Sequence, residues 1–138
     1  MSRRGFTLLE VMIVVFIIGL LATLVVPTLM GRPDEARRTK AIADMAGITE
    51  ALNLYRLDAG GYPTTEQGLE ALVKRPERPP VPAKWHPNGY LGQLPTDPWG
   101  HPYVYLSDGG SFTLKSLGAD GVEGGAGKFA DVDSHATP

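Results

Sequence analysis

Residues 6–30 read FTLLEVMIVVFIIGLLATLVVPTLM, and Glu10 is the one charged residue among them. As an α-helix the run would extend about 37 Å at a rise of about 1.5 Å per residue, enough to cross a bilayer. A secretory signal core is shorter, about 7–15 residues, and a small-residue cleavage site follows it. Leu21-Ala22-Thr23 is the nearest approach to such a site, so a membrane helix is the better reading. A wholly buried core helix is a poor alternative, because a chain of 138 residues could hardly surround it. Pro27 removes a backbone donor near the end of the run and predicts a local kink. Gly31 and Pro33 predict a bent or partly melted junction with the rest of the chain.

Arg3 and Arg4 lie on one side of this run, and Arg32, Arg37, Arg38 and Lys40 lie just beyond the other. The first pair favours a cytoplasmic N-terminus, but counting Lys and Arg alone leans the opposite way, so charge leaves the topology open. Glu10 is the unusual residue. A carboxylate within an apolar helix costs about 3 kcal/mol on insertion scales. Either it snorkels to an interface or it needs a positive partner. Phe6 and Glu10 are four residues apart and share a helix face. Cleavage before Phe6 would place a new ammonium group beside this carboxylate, and the amine of another subunit would serve equally.

The remainder has a different character. The whole chain has 13 basic and 15 acidic residues; setting aside Arg3, Arg4 and Glu10 leaves the rest with a net charge of −3. That balance lacks the basic face of a nucleic-acid binder. With no cysteine, disulfides, thiolate metal sites and cysteine nucleophiles are excluded. Clusters of aromatic and aliphatic residues argue against disorder.

Ala41, Met45, Ile48, Leu52 and Tyr55 recur at helical spacing and predict a helix from Ala36 to about Leu57, with this stripe facing a core. Gly60-Gly61 and Pro63 end it. Thr64 and Gln67 fit a capping box opening a second helix, with Leu69, Leu72 and Val73 on its apolar side. Pro76, Pro79, Pro80 and Pro82 then predict an extended, ordered loop over 75–98. Tyr103–Leu106 and Ser111–Ser116 are strand-like, and Asp108-Gly109-Gly110 between them is a turn signal, so an antiparallel hairpin over the helix is expected. Tyr90 and Trp99 are expected to anchor the loop on the core.

The segment after Gly118 is rich in glycine and aspartate. Such loops are often merely flexible, but they can wrap a hard cation in carboxylate and carbonyl oxygens, with Asp120, Asp131 and Asp133 as candidate ligands. No EF-hand fits: with Asp120 at loop position one, Val122 and Gly124 occupy positions that need oxygen side chains. Enzymatic chemistry finds little support. His86, His101 and His135 form no H-E-x-x-H pair, and neither a G-x-S-x-G elbow nor a P-loop is present.

The basic leader ending in Gly5, followed by Phe6-Thr7-Leu8-Leu9-Glu10, resembles the class III signal of type IV pilins and pseudopilins. Further blocks resemble the major pseudopilins (G subunits) of type II secretion systems: Leu54-Tyr55-Arg56-Leu57-Asp58, Tyr62-Pro63-Thr64-Thr65-Glu66-Gln67-Gly68-Leu69, Asp97-Pro98-Trp99-Gly100 and Ser116-Leu117-Gly118-Ala119-Asp120-Gly121. The resemblance runs from the leader to about Gly121.

This resemblance implies an α+β, type IV pilin-like fold. A long N-terminal helix, half membrane-spanning and half amphipathic, would pack on a small antiparallel sheet, with a Pro-rich loop and a C-terminal calcium loop. It implies a leader at 1–5, a membrane or filament-core helix at 6–30 and a periplasmic domain at 31–138. A prepilin peptidase would cut between Gly5 and Phe6 and N-methylate Phe6, and Glu10 would guide assembly. Calcium would be held by Asp120, Asp131 and the carbonyls of Leu117 and Val122. The family usually continues towards a tryptophan here. This chain has Asp133-Ser134-His135-Ala136-Thr137-Pro138 instead, with Asp133 a further candidate ligand.

The implied role is a structural one, in a Gram-negative inner-membrane protein with one span and its C-terminal domain in the periplasm. Copies would polymerise into a pseudopilus that drives folded proteins through the outer-membrane secretin. Implied partners are further copies, minor pseudopilins, the prepilin peptidase and the inner-membrane assembly platform, with secretin and exoproteins engaged indirectly and no nucleic acid. The alternatives are a type IV pilus subunit for adhesion, motility or DNA uptake, and a lone membrane-anchored calcium-binding module.

Overall fold

The computed structural model describes residues 5–30 and 32–135, and the side chains of these except 24–32. The expectations for the basic leader and for Gly31 therefore lie outside the described residues. The chain divides into two units, the first ending at Glu35 and the second starting at Ala36, and each is considered by itself.

The first unit holds α1 (Leu8–Met30). Its backbone stays helical through Pro27. Among the described residues no helix is long and apolar enough to cross a membrane; the described side chains of α1 end at Thr23. The span expected over 6–30 thus rests on the sequence. The next helix, α2 (Arg32–Ala59), carries Pro33 in its first turn, where a missing N–H costs nothing.

In the second unit, α2 buries the face that the helical period marks. Ala41, Met45, Ile48, Leu52 and Tyr55 are all buried, joined by Ala51. They form one cluster with Ala71, Leu72, Tyr103, Tyr105, Leu114 and Val132, so helix, short turn and sheet share a core. The expected hairpin is present: β1 (Val104–Ser107) pairs antiparallel with β2 (Phe112–Ser116), Tyr105 opposite Leu114. A third strand, β3 (Val132–Asp133), pairs antiparallel on the other side of β2, giving the order β1-β2-β3. Sequence reading missed it because two residues carry no alternation to detect.

The second helix expected from Thr64 is corrected. Both capping-box bonds form: Thr64 N donates to Gln67 Oε1 at 3.0 Å, and Gln67 N donates to Thr64 Oγ1 at 3.4 Å. No α-helix follows, only a 3₁₀ turn at Leu69–Leu72. Gly68 intervenes with φ +64°, a left-handed conformation that stops helical propagation. The Gln67 amide turns to the Pro-rich loop instead, donating to Arg78 O at 2.7 Å and Pro80 O at 2.9 Å.

No helix or strand lies between 73 and 103, as the prolines require. Trp85 Nε1 donates to Ala71 O at 3.0 Å, and the Tyr90 hydroxyl donates to Asp58 Oδ2 at 2.8 Å. Tyr90 and Trp99 pack against the core as expected, and Trp85 is an anchor that sequence reasoning did not name.

Candidate functional site

Two segments hold the residues singled out from the sequence. In the first, Gly5, Phe6 and Thr7 are non-helical and α1 begins at Leu8. The start is fixed by Thr7, whose Oγ1 accepts from Glu10 N at 3.2 Å, satisfying one of the donors that a helix N-terminus leaves open. Glu10 falls in the first turn, where a negative charge suits the helix dipole. Phe6 is 84 % exposed, and it lines an apolar groove of about 300 Å³ with Glu10, Val11, Val14 and Val15. Phe6 lies outside the helix, so it does not share a helical face with Glu10 as expected; the two instead line one recess with a carboxylate in an apolar lining. The bond between Gly5 and Phe6, where cleavage is expected, lies in non-helical backbone.

The second segment is the C-terminal loop. Asp120, Asp131 and Asp133 do not converge: among the described residues no group of three or more acidic or histidine side chains is placed to hold a metal ion. Asp120 Oδ1 accepts from Val122 N at 3.2 Å, a local turn bond. Asp133 sits opposite Lys115 in the β2–β3 ladder and accepts from His135 N at 3.2 Å. Asp131 is the residue with spare capacity. Its Oδ2 accepts from Gly124 N at 3.0 Å, while its Oδ1 is buried without a hydrogen-bond partner. A buried carboxylate oxygen without a donor is costly, so this atom fits a cation. The carbonyls of Leu117 and Val122 belong to the same loop.

Three residues that hold this loop were not assigned that role from the sequence. Arg38, on α2, donates to Ala130 O at 3.0 Å. Lys115, on β2, hydrogen-bonds Glu123 and lies 4.0 Å from Asp131 Oδ2. The Glu123 bond is the main reason that Lys115 keeps its proton above the ordinary lysine range; burial opposes it, and the charges of Glu123, Asp131 and Asp133 add to it. Asp97 is buried at the far end of β2, where its Oδ2 accepts from Ser116 Oγ at 2.7 Å. The one signal available for Lys115 was period-two alternation, which turns it away from the core face of Leu114 and Ser116.

Comparison with known proteins bears on both segments. A family described as "Type II secretion system (T2SS), protein G" matches residues 28–135, and the "Prokaryotic N-terminal methylation motif" matches residues 1–26. The "Type II secretion system core protein G" of Pseudomonas aeruginosa is 56 % identical over 137 residues, 96 % of each chain. That of Vibrio cholerae is 52 % identical, covering 95 % of this chain and 90 % of its own. Among solved structures, the crystal structure of the major pseudopilin from the type 2 secretion system of enterohaemorrhagic Escherichia coli covers 80 % of this chain and 95 % of its own, at 40 % identity and a TM-score of 0.69. The fold is the α+β, pilin-like one expected, and the chain belongs to the protein G family of type II secretion systems.

Proposed function

We propose that this chain is the major structural subunit of a type II secretion pseudopilus, a periplasmic filament whose growth drives folded proteins through the outer-membrane secretin. The observation that carries the reading is the Phe6–Glu10 recess at a helix start capped by Thr7, directly after Gly5. In the proposed pathway a prepilin peptidase cuts between Gly5 and Phe6 and methylates the new amine. The subunit then waits in the inner membrane, spanning it once through residues 6–30, with the rest in the periplasm. Apolar helices from many copies bury one another in the filament shaft. Glu10 pairs with an N-terminal amine and sets register, since an unpaired carboxylate in such a shaft is strongly disfavoured. Minor pseudopilins and the inner-membrane assembly platform are the proposed partners in assembly, and the subunit's role is mechanical, not catalytic.

Calcium is the proposed ligand of the C-terminal loop. Asp131 would hold it, with Asp120, Asp133 and the Leu117 and Val122 carbonyls as further donors. The ion would supply positive charge to the partnerless Asp131 oxygen and tie the loop to the domain.

Glu10→Ala tests the assembly reading. Filaments are expected to vanish while the variant accumulates and the leader is still removed. Filaments in normal number would overturn it.

A further inference from the structure

The glycine-rich segment between β2 and β3 spans residues 117–131 with only a three-residue 3₁₀ turn, Gly127–Phe129, of its own. Nine of its fifteen residues are exposed, and it buries no large side chain. Hydrophobic packing therefore does little to hold it, and conformational entropy favours opening. The loop nevertheless has a defined course: Arg38 holds its far end at Ala130 O, and two of its acidic side chains, Glu123 and Asp131, meet the single ammonium of Lys115.

Lys115 leaves β2 on the face away from the core. Its ammonium hydrogen-bonds Glu123 in the first half of the loop and approaches Asp131 Oδ2, at the entry to β3, within 4.0 Å. Asp133 stands opposite Lys115 in the ladder and adds a further negative charge across the strands. Asp131 Oδ2 also takes the N–H of Gly124, which follows Glu123 directly. One ammonium therefore joins the strand before the loop to the middle of the loop at Glu123 and to its far end at Asp131. The Lys115 side chain is 25 % exposed and that of Asp131 21 %, so part of this network is withdrawn from water. A network of several carboxylates on one partly covered cation holds better than an isolated surface pair.

We propose that Lys115 is the built-in cation of the C-terminal loop, and that its ammonium keeps the loop closed on the domain without a divalent metal. The inference does not depend on calcium binding at Asp131. It assigns Glu123 and one oxygen of Asp131 to the lysine and leaves Asp131 Oδ1 free for another ligand.

The test is amide hydrogen exchange over residues 121–131 in the full-length protein in detergent, with a chelator and again with calcium. In chelator the wild-type loop is expected to be protected. Lys115→Met should then exchange roughly fivefold faster at Gly124, the size expected for loss of a partly exposed ion-pair network. Lys115→Arg should restore protection. Glu123→Gln, at a side chain 75 % exposed and removed from the core, should show a smaller loosening in the same direction. Equal exchange in wild type and Lys115→Met under chelator would overturn the inference, as would a wild-type loop protected only once calcium is added. The calcium reading fails separately: a loosened Lys115→Met loop that calcium does not tighten counts against calcium and leaves the lysine's role standing.

Discussion

Asp97 Oδ2 accepts a 2.7 Å hydrogen bond from Ser116 Oγ, and this contact ties the Asp97-Pro98-Trp99-Gly100 turn to the end of β2. Ser116 Oγ in turn accepts from Gly118 N at 3.2 Å, so the same pair sets where the C-terminal loop departs. The other carboxylate oxygen accepts from Trp99 N at 3.1 Å and His101 N at 2.7 Å. Asp97 is 3 % exposed and Ser116 is fully buried.

Asp97→Ala would strand the Ser116 hydroxyl and two backbone N–H groups. The expected loss is about 3 kcal/mol, since each buried donor left unpaired costs about 1–3 kcal/mol. For a domain of this size that lowers the melting temperature by roughly 10–20 °C. Tryptophan fluorescence of the full-length protein in detergent reads it directly, because Trp85 and Trp99 are the only tryptophans. Asp97→Asn, which retains an acceptor, should lose less. A melting point unchanged in Asp97→Ala would contradict this account of the turn.

Gly118 has φ +68°, and a Cβ there would lie 2.8 Å from Ala130 O, the carbonyl that Arg38 binds. Gly118→Ala therefore combines backbone strain with displacement of the loop's far end. A destabilisation of about 1–3 kcal/mol is expected, with looser exchange at Gly124. Gly124 itself has no atom within 4 Å of an added Cβ. Its φ of +96° leaves a conformational penalty without a clash, so Gly124→Ala should cost less in the same melt.

Stability should fall at both ends of the pH scale. Asp108 Oδ1 accepts from Ser111 N at 2.8 Å and Gly110 N at 2.9 Å, and these bonds hold its carboxyl below the ordinary 3.8. Asp58 is lowered too, first by the Tyr90 hydroxyl and then by Lys84. A carboxyl depressed in the native state binds fewer protons there than when unfolded. Its contribution is therefore present above the ordinary value and is lost as pH falls through the native one. On the alkaline side, burial pushes Tyr105 up to about 12, with its hydroxyl donating to Pro63 O at 2.7 Å. That contribution is complete below the ordinary 10.0 and is lost as pH rises towards the native value. Melts from acid to alkaline pH should give a plateau falling at each end, with Asp108→Ala shallower on the acid limb. An acid limb identical in Asp108→Ala would refute its assignment to this turn.

Elements whose stability follows local periodicity were the ones readable in the sequence. The buried face of α2 was legible because five apolar residues repeat at helical spacing, and the hairpin because Asp108-Gly109-Gly110 separates two β-rich runs. Phe6 and Glu10 were legible as a pair from their four-residue spacing, although Phe6 precedes the helix and meets Glu10 only across the recess they both line. What escaped depends on contacts distant in the chain. β3 exists only because Lys115 and Ser116 offer it a partner edge. The Thr64–Gln67 box misled because its bonds form and Gly68 then diverts the backbone. The three aspartates were legible as acidic residues, but Lys115, which approaches Asp131 and stands opposite Asp133 in the ladder, carries no local signature.

The most direct test of the account is deletion of this gene, with exoproteins followed in medium and periplasm and surface pili counted alongside. The account predicts folded exoproteins retained in the periplasm, pili unchanged, and secretion restored by the wild-type gene but not by Glu10→Ala. Normal secretion with pili or motility lost would contradict it and assign the chain to a type IV pilus.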